Sequence, residues 1–235
     1  MPLDLIAFDA DDTLWHTEHL YADAQAQFRG LLAPYVAAET LNGHLFEVEM
    51  RNLRYFGYGV KGFTLSMIET AIELTDGRVA GTDIQRIIDL AKAMLTADIK
   101  LLDEVEPTVA ALAQTHRLMI ITKGDLFDQE TKVARSGLAG YFRHVEIVSD
   151  KNRDTYAALL ERHSVAPQRF LMVGNSLRSD VLPVAVLGAH AVYVPYAVTW
   201  AHETVADHEA AGLGYHELAR LGQLPALIAQ LEGSA

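Results

Sequence analysis

A short apolar run at residues 3–8, LDLIAF, stops abruptly at the acidic cluster DADD, which predicts a buried strand with carboxylates at its carboxyl end. The pattern then turns helical. Leu20, Ala24, Phe28, Leu31 and Tyr35 recur at helical spacing, as do Leu41, Leu45 and Val48. Thr82, three residues ahead of Gln85, resembles a capping box, and Ile84, Ile87, Ile88, Ala91 and Leu95 continue the helix behind it. Between these helices RNLRYFGYGVKGF, with glycines at 57, 59 and 62, reads as a loop crowded with aromatic and basic side chains. Residues 17 to about 100 therefore read as all-helical.

Beyond them strands and helices alternate. Pro107 opens a helix, RLMIIT (117–122) is a strand, and a helix from Asp125 to Ser136 is stopped by Gly137. VEIV (145–148) is the next strand, followed by a helix near 152–163. RFLMVG (169–174) is a strand, Ser179 to Leu187 a helix, and AVYVP (191–195) a strand, while the tail after 203 reads as short helices. Such alternation implies a parallel sheet with helices on both faces. The expected fold class is α/β: a doubly wound, Rossmann-like core of residues 1–16 and 101–235, interrupted by an all-helical cap domain of residues 17–100. A connection that long is normally functional, often a lid, and ligands of such sheets bind at the carboxyl ends of the strands.

The 235 residues carry 19 basic and 31 acidic side chains, a formal charge of −12. That argues against a bulk electrostatic grip on a nucleic acid polymer, but not against a small anion, because a bound cation can invert the local field. With no cysteine, disulfides, thiol catalysis and cysteine zinc sites are ruled out. No basic residue precedes Arg29, which argues against a cleaved leader. The apolar stretch from Val181 to Ala201 is broken by Pro183, Gly188 and Pro195, so it reads as a helix, a glycine stop and a strand rather than a membrane span. A cytoplasmic protein with no membrane partner is the expectation; oligomeric state is open.

Chemistry gathers at the predicted strand ends. Asp9, Asp11 and Asp12 follow the first strand, Thr122 and Lys123 end the second, and Lys151 follows the third. GNSLRSD, with Asn175, Ser176 and Asp180, follows the fourth. Phosphoryl transfer needs this inventory. A phosphate monoester is a dianion, so an anionic nucleophile approaches only where a cation such as Mg²⁺, held by hard oxygens, screens the charge. A carboxylate can then attack in line. A hydroxyl and an ammonium hold the phosphoryl oxygens, and a second carboxyl two residues on protonates the leaving oxygen and later activates water.

In this order, DADDT, Thr122, Lys151 and GNSLRSD resemble the four motifs of the haloacid dehalogenase-like (HAD) hydrolases, across nearly the whole chain and with the helical insert matching the cap these enzymes carry. The resemblance implies Asp9 as nucleophile and Mg²⁺ ligand, and Asp11 as general acid/base with its main-chain carbonyl on the metal. It implies Thr122 on a phosphoryl oxygen, Lys151 bridging that oxygen and Asp9, and Asp180 on the metal directly or through water. The acid at position 11 separates the family's phosphatases from its dehalogenases, which lack it. One departure stands out: the fourth motif usually begins glycine-acid, and here it is Gly174-Asn175. An amide oxygen can still ligate Mg²⁺ but brings no charge, which leaves the direct ligand open between Asn175 and Asp180.

The leading expectation is a Mg²⁺-dependent phosphatase acting on a small phosphorylated metabolite. A phosphomutase with the same residues and a weakly catalytic phospho-ligand-binding protein remain alternatives. A phospho-receiver domain shares the acids, threonine and lysine, but is about half this length and has no place for the helical insert. Several residues carry two readings. Arg54, Tyr55, Tyr58 and Lys61 either select substrate or form a packed aromatic turn. Trp15 and Glu18 either hinge the cap or face substrate. The Lys123 backbone N–H is placed for phosphate, with its side chain divided between phosphate and solvent. Ser176 either joins the metal shell or caps the next helix. Lys132, inside a predicted helix, is the weaker competitor of Lys151. Asp12 is expected to cap following backbone, Thr13 to brace locally, and Arg178 and His202 to lie on the surface.

Overall fold

The computed structural model of the protein describes residues 2–198, 200–206 and 212–233. Two compact units emerge. One holds the described residues up to Glu18, Ile99–Lys123 and those from Glu130 onward; the other holds His19–Asp98 with Gly124–Gln129. Residues 17, 18, 99 and 100 thus group with the sheet rather than with the helical insert, and 124–129 group with the insert.

The first unit is built on six strands: β1 (Leu5–Phe8), β2 (Leu118–Lys123), β3 (His144–Val148), β4 (Phe170–Gly174), β5 (His190–Tyr193) and β6 (His216–Glu217). Their spatial order is β3-β2-β1-β4-β5-β6, and every pairing is parallel, as the alternation of elements predicts. β1 is central because both its faces are apolar. Ile6 and Phe8 pack with Val105, Val109 and Leu112 of α5 (Val105–Ala113) and with Leu224 and Ile228 of α9 (Leu224–Gly233). Leu5 and Ala7 face the other way, toward Tyr156, Leu159 and Leu160 of α7 (Arg153–Arg162). Strands buried on both faces read as unbroken apolar runs, which is why these four residues show no polar alternation.

Four expectations need correction. RNLRYFGYGVKGF is a loop only at residues 57–59, because its flanks belong to the helices Ala38–Phe56 and Val60–Leu74. Thr82 does not cap its helix, which starts at Gly81 with Ala80 in the cap position and no side-chain cap bond. The single helix from Ser179 to Leu187 is instead a π-helical turn, Leu177–Val181, running into the short α8 (Leu182–Ala185). The backbone N–H groups of Asp180 and Val181 both donate to the Ser176 carbonyl, at 2.9 and 3.2 Å, which widens the turn. The tail does not read as helices alone. It contains β6, whose two residues are too few to show alternation, and then α9; residues 207–211 lie outside the described residues. Among the described residues no helix is long and apolar enough to cross a membrane.

The second unit consists of α1 (Glu18–Leu32), which starts one residue before it, α2 (Ala38–Phe56), α3 (Val60–Leu74), α4 (Gly81–Thr96) and the first turn of α6 (Leu126–Arg135). Phe28 and Leu32 of α1, Leu41, Leu45 and Val48 of α2, Met67 of α3 and Ile87 of α4 form its apolar core. The predicted helical periodicity is therefore a packing periodicity.

Candidate active site

The first site loop is a tight reversal. The N–H groups of Thr13 and Leu14 donate to the Ala10 carbonyl at 3.3 and 2.8 Å, and Asp12 takes the left-handed conformation (φ 61°). Asp12 is buried, and its Oδ1 accepts from the Thr17 N–H at 2.8 Å and its Oδ2 from the Glu18 N–H at 3.0 Å, so it caps the start of α1. Burial pushes its carboxyl up to about 6 against the pull of those two bonds.

With Asp12 turned away, Asp9 and Asp11 are left at the strand end. Lys151 is 4 % exposed, and its Nζ donates to Asp9 Oδ1 and, at 2.8 Å, to Asp180 Oδ1. Burial alone would lower the Lys151 ammonium, but Asp180 and Asp9 outweigh it and hold the group well above the ordinary lysine range. Burial also pushes the Asp9 carboxyl up, with Lys151 opposing. The other Asp180 oxygen accepts the Ser176 N–H at 3.0 Å. Thr13 Oγ1 lies 3.1 Å from Asp9 Oδ2 and 3.2 Å from Asn175 Oδ1, so it joins the first and fourth motif loops.

Asp11 is gripped from three sides. Trp15 Nε1 donates to its Oδ1 at 2.7 Å and Thr17 Oγ1 at 2.8 Å, while Lys132 Nζ stands 3.0 Å from each carboxylate oxygen. Trp15 is fully buried, and its indole N–H braces Asp11. Lys132 comes from α6 and serves Asp11, while Lys151 serves Asp9; the two lysines do not compete.

Thr122 is buried at the penultimate residue of β2, beside Lys123. The Lys123 ammonium is not solvated: it donates to Ser179 Oγ at 2.8 Å and to the Glu203 carboxylate. Ser176 Oγ accepts from the Ser179 N–H at 3.0 Å, capping the π turn. Glu203 also receives the hydroxyls of Ser176 and, at 2.6 Å, Ser179. Burial would raise this carboxyl, but the Lys123 ammonium and the two hydroxyls bring it down to about 2. Sequence reasoning missed Glu203. Its only signal is that no acidic residue precedes it after Asp180. Neighbouring His202 is half-buried, and its carbonyl accepts from Arg178 Nη1 at 3.2 Å.

Arg54, Tyr58 and Lys61 belong to the helical unit. Within it the Arg54 guanidinium lies 4.6 Å from the Tyr55 ring centroid, Tyr58 is half-buried, and Lys61 Nζ pairs with Asp125 at 2.8 Å.

The donors fit a magnesium ion in kind. Asp9 and Asp180 share one ammonium, which leaves a surplus negative charge beside the neutral Asn175 oxygen. Among the described residues no three His, Asp or Glu side chains cluster as a metal cage. Mg²⁺ is usually held by one or two carboxylates, with neutral oxygens and water completing its shell.

Gly174 gives this arrangement its tolerance limit. A methyl group there would overlap the Asp180 carboxylate, which Lys151 and the Ser176 N–H both hold in place. Gly174→Ala is expected to lower stability by about 1–3 kcal/mol, the usual cost of overpacking, read as a lower midpoint in urea with an unchanged slope. An unshifted midpoint refutes it.

Carboxylates, a hydroxyl and a buried lysine thus stand at the strand ends of a doubly wound sheet. The model of the haloacid dehalogenase-like hydrolases matches residues 3–188, and the chain belongs to that family. Among solved structures, a haloacid dehalogenase-like family hydrolase from Xanthomonas campestris is 42% identical, with 99% of this chain and 93% of that chain covered and a TM-score of 0.88. A 2-haloacid dehalogenase from Pseudomonas syringae is 25% identical, with 97% and 99% covered and a TM-score of 0.64. A predicted phosphoglycolate phosphatase from Haemophilus somnus shares the fold at 15% identity, with 96% and 97% covered and a TM-score of 0.64. A search of curated proteins finds no match.

Proposed function

We propose that the protein is a Mg²⁺-dependent phosphatase of small phosphate monoesters that works through an aspartyl-phosphate on Asp9. Asp11 carries this reading: a second carboxyl two residues beyond the nucleophile, fixed by Lys132, Trp15 and Thr17. A dehalogenase displaces halide and needs no proton delivered to its leaving group, whereas an alkoxide does.

Asp9 would attack phosphorus in line, forming the O–P bond as the ester P–O bond breaks and Asp11 gives its proton to the departing oxygen. Water would then attack the acyl phosphate, pass a proton to Asp11, and release phosphate and the Asp9 carboxylate. Thr122 and Lys151 would hold the phosphoryl oxygens. Asp9, the Asp11 carbonyl and Asn175 would hold Mg²⁺, with Asp180 acting directly or through water. The ion would supply charge screening for the approach of carboxylate to phosphate. Within the helical unit, Arg54, Tyr58 and Lys61 are candidates for substrate selection, which would make that unit a cap. A cytoplasmic metabolite is the substrate class this reading favours.

The test is release of phosphate from sugar phosphates, phosphoglycolate and nucleoside monophosphates, with and without Mg²⁺, beside release of halide from 2-haloacids. Mg²⁺-dependent phosphate release without halide is expected. Halide release alone overturns the proposal, isomerised sugar phosphate replaces it with a mutase, and binding without turnover replaces it with a phospho-ligand-binding protein.

A further inference from the structure

Glu203 sits in the short turn Ala201–Glu203, beyond residue 188, where the family match ends. A carboxylate this buried is costly unless it is paired and hydrogen-bonded, and this one has three partners. They come from two places. Lys123 closes β2, while Ser176 and Ser179 belong to the loop after β4. β1, which ends at Phe8 just before Asp9, lies between β2 and β4 in the sheet. Glu203 therefore ties together the loops on either side of the nucleophile's strand.

The contacts continue inward. The Ser176 N–H donates to Asp180 Oδ2, Asp180 Oδ1 receives Lys151 Nζ, and Lys151 reaches Asp9. Asn175, next to Ser176, is held through Thr13 to Asp9. We propose that Glu203 is a positioning residue that holds the Asn175–Asp180 loop against the end of β2, so that the oxygens offered to Mg²⁺ keep their places. This rests on the metal reading above. The rival is a staple that merely fastens the segment carrying Glu203 to the sheet, and such a staple would change stability without changing the metal site.

The test compares whole wild-type protein with Glu203→Gln, which keeps the shape and removes the charge. Mg²⁺ alone is titrated calorimetrically, and kcat and KM for the best ester are measured at saturating Mg²⁺. Partners that orient metal ligands typically account for a 10–100-fold change in affinity, so the variant is expected to bind Mg²⁺ at least about tenfold more weakly. Its kcat should fall while KM for the ester stays near wild type, and Glu203→Asp should recover part of the affinity. If Glu203→Gln fails to fold, Lys123→Met with Glu203→Gln removes both charges and is expected to show the same weakening. A folded variant with wild-type Mg²⁺ affinity overturns this inference alone and leaves the staple. Wild-type protein that binds no Mg²⁺ overturns the metal reading, and this inference with it.

Discussion

Asp9→Asn is expected to abolish the proposed phosphate release, by at least about 10⁴-fold, because a neutral amide cannot attack phosphorus and loss of a nucleophile removes the covalent route outright. The expected protein is folded. Asp9 and Asp180 share the single Lys151 ammonium, so replacing one carboxylate by its isosteric amide relieves charge crowding and leaves Lys151 paired with Asp180. Loss of activity with an intact melting transition therefore separates chemistry from stability. Intact-mass spectrometry on quenched reactions should show a phosphorylated wild-type chain and none in the variant. Activity within tenfold of wild type would move the nucleophile elsewhere.

Lys151→Met is expected to cause a large loss of stability. The lysine side chain is 2% exposed and faces two carboxylates, with exposures of 10% for Asp9 and 1% for Asp180. Methionine matches its length but strands both charges. Breaking a buried pair in this way typically costs about 3–5 kcal/mol, which for a protein of this size lowers the melting temperature by roughly 10 °C. Lowering the pH from above neutral through about 7 should narrow the gap, because burial holds the Asp9 carboxyl up near that value and its protonation removes one of the stranded charges. Thermal melts of the two proteins across that range check both statements, and coincident melting curves would refute them.

The sheet and the order of its first five strands' segments were legible because each core strand is an apolar run that stops sharply at polar chemistry: LIAF before Asp9, LMIIT before Lys123, FLMVG before Asn175. Sequence position alone thus located the strand ends at which the candidate residues stand. What it did not show was partnership. Lys132 looks like a surface lysine on a helix, and its pairing with Asp11 depends on contact across 121 positions. Glu203 looks like a turn residue, and its cage comes from segments 80 and 27 positions away. The π turn after Ser176 was equally hidden, since Leu177–Val181 differs from an ordinary helical turn only in where two N–H groups donate.

The register of β1 bears on how the molecule comes to exist. Ile6 pairs with Leu118, and Leu5 with Phe170, so β1, once made at the ribosome, waits for its second neighbour until the segment around Phe170 has emerged. Pairings this distant in sequence slow folding, because the loop must close before the contacts stabilise it. Until β2 arrives LIAF is apolar and unpaired on both edges, and until β4 arrives on one, which leaves it open to wrong partners. The same delay keeps Asp9 and Asp180 apart until β4 docks, so the nascent chain cannot assemble the Asp9–Lys151–Asp180 cluster before that strand is made.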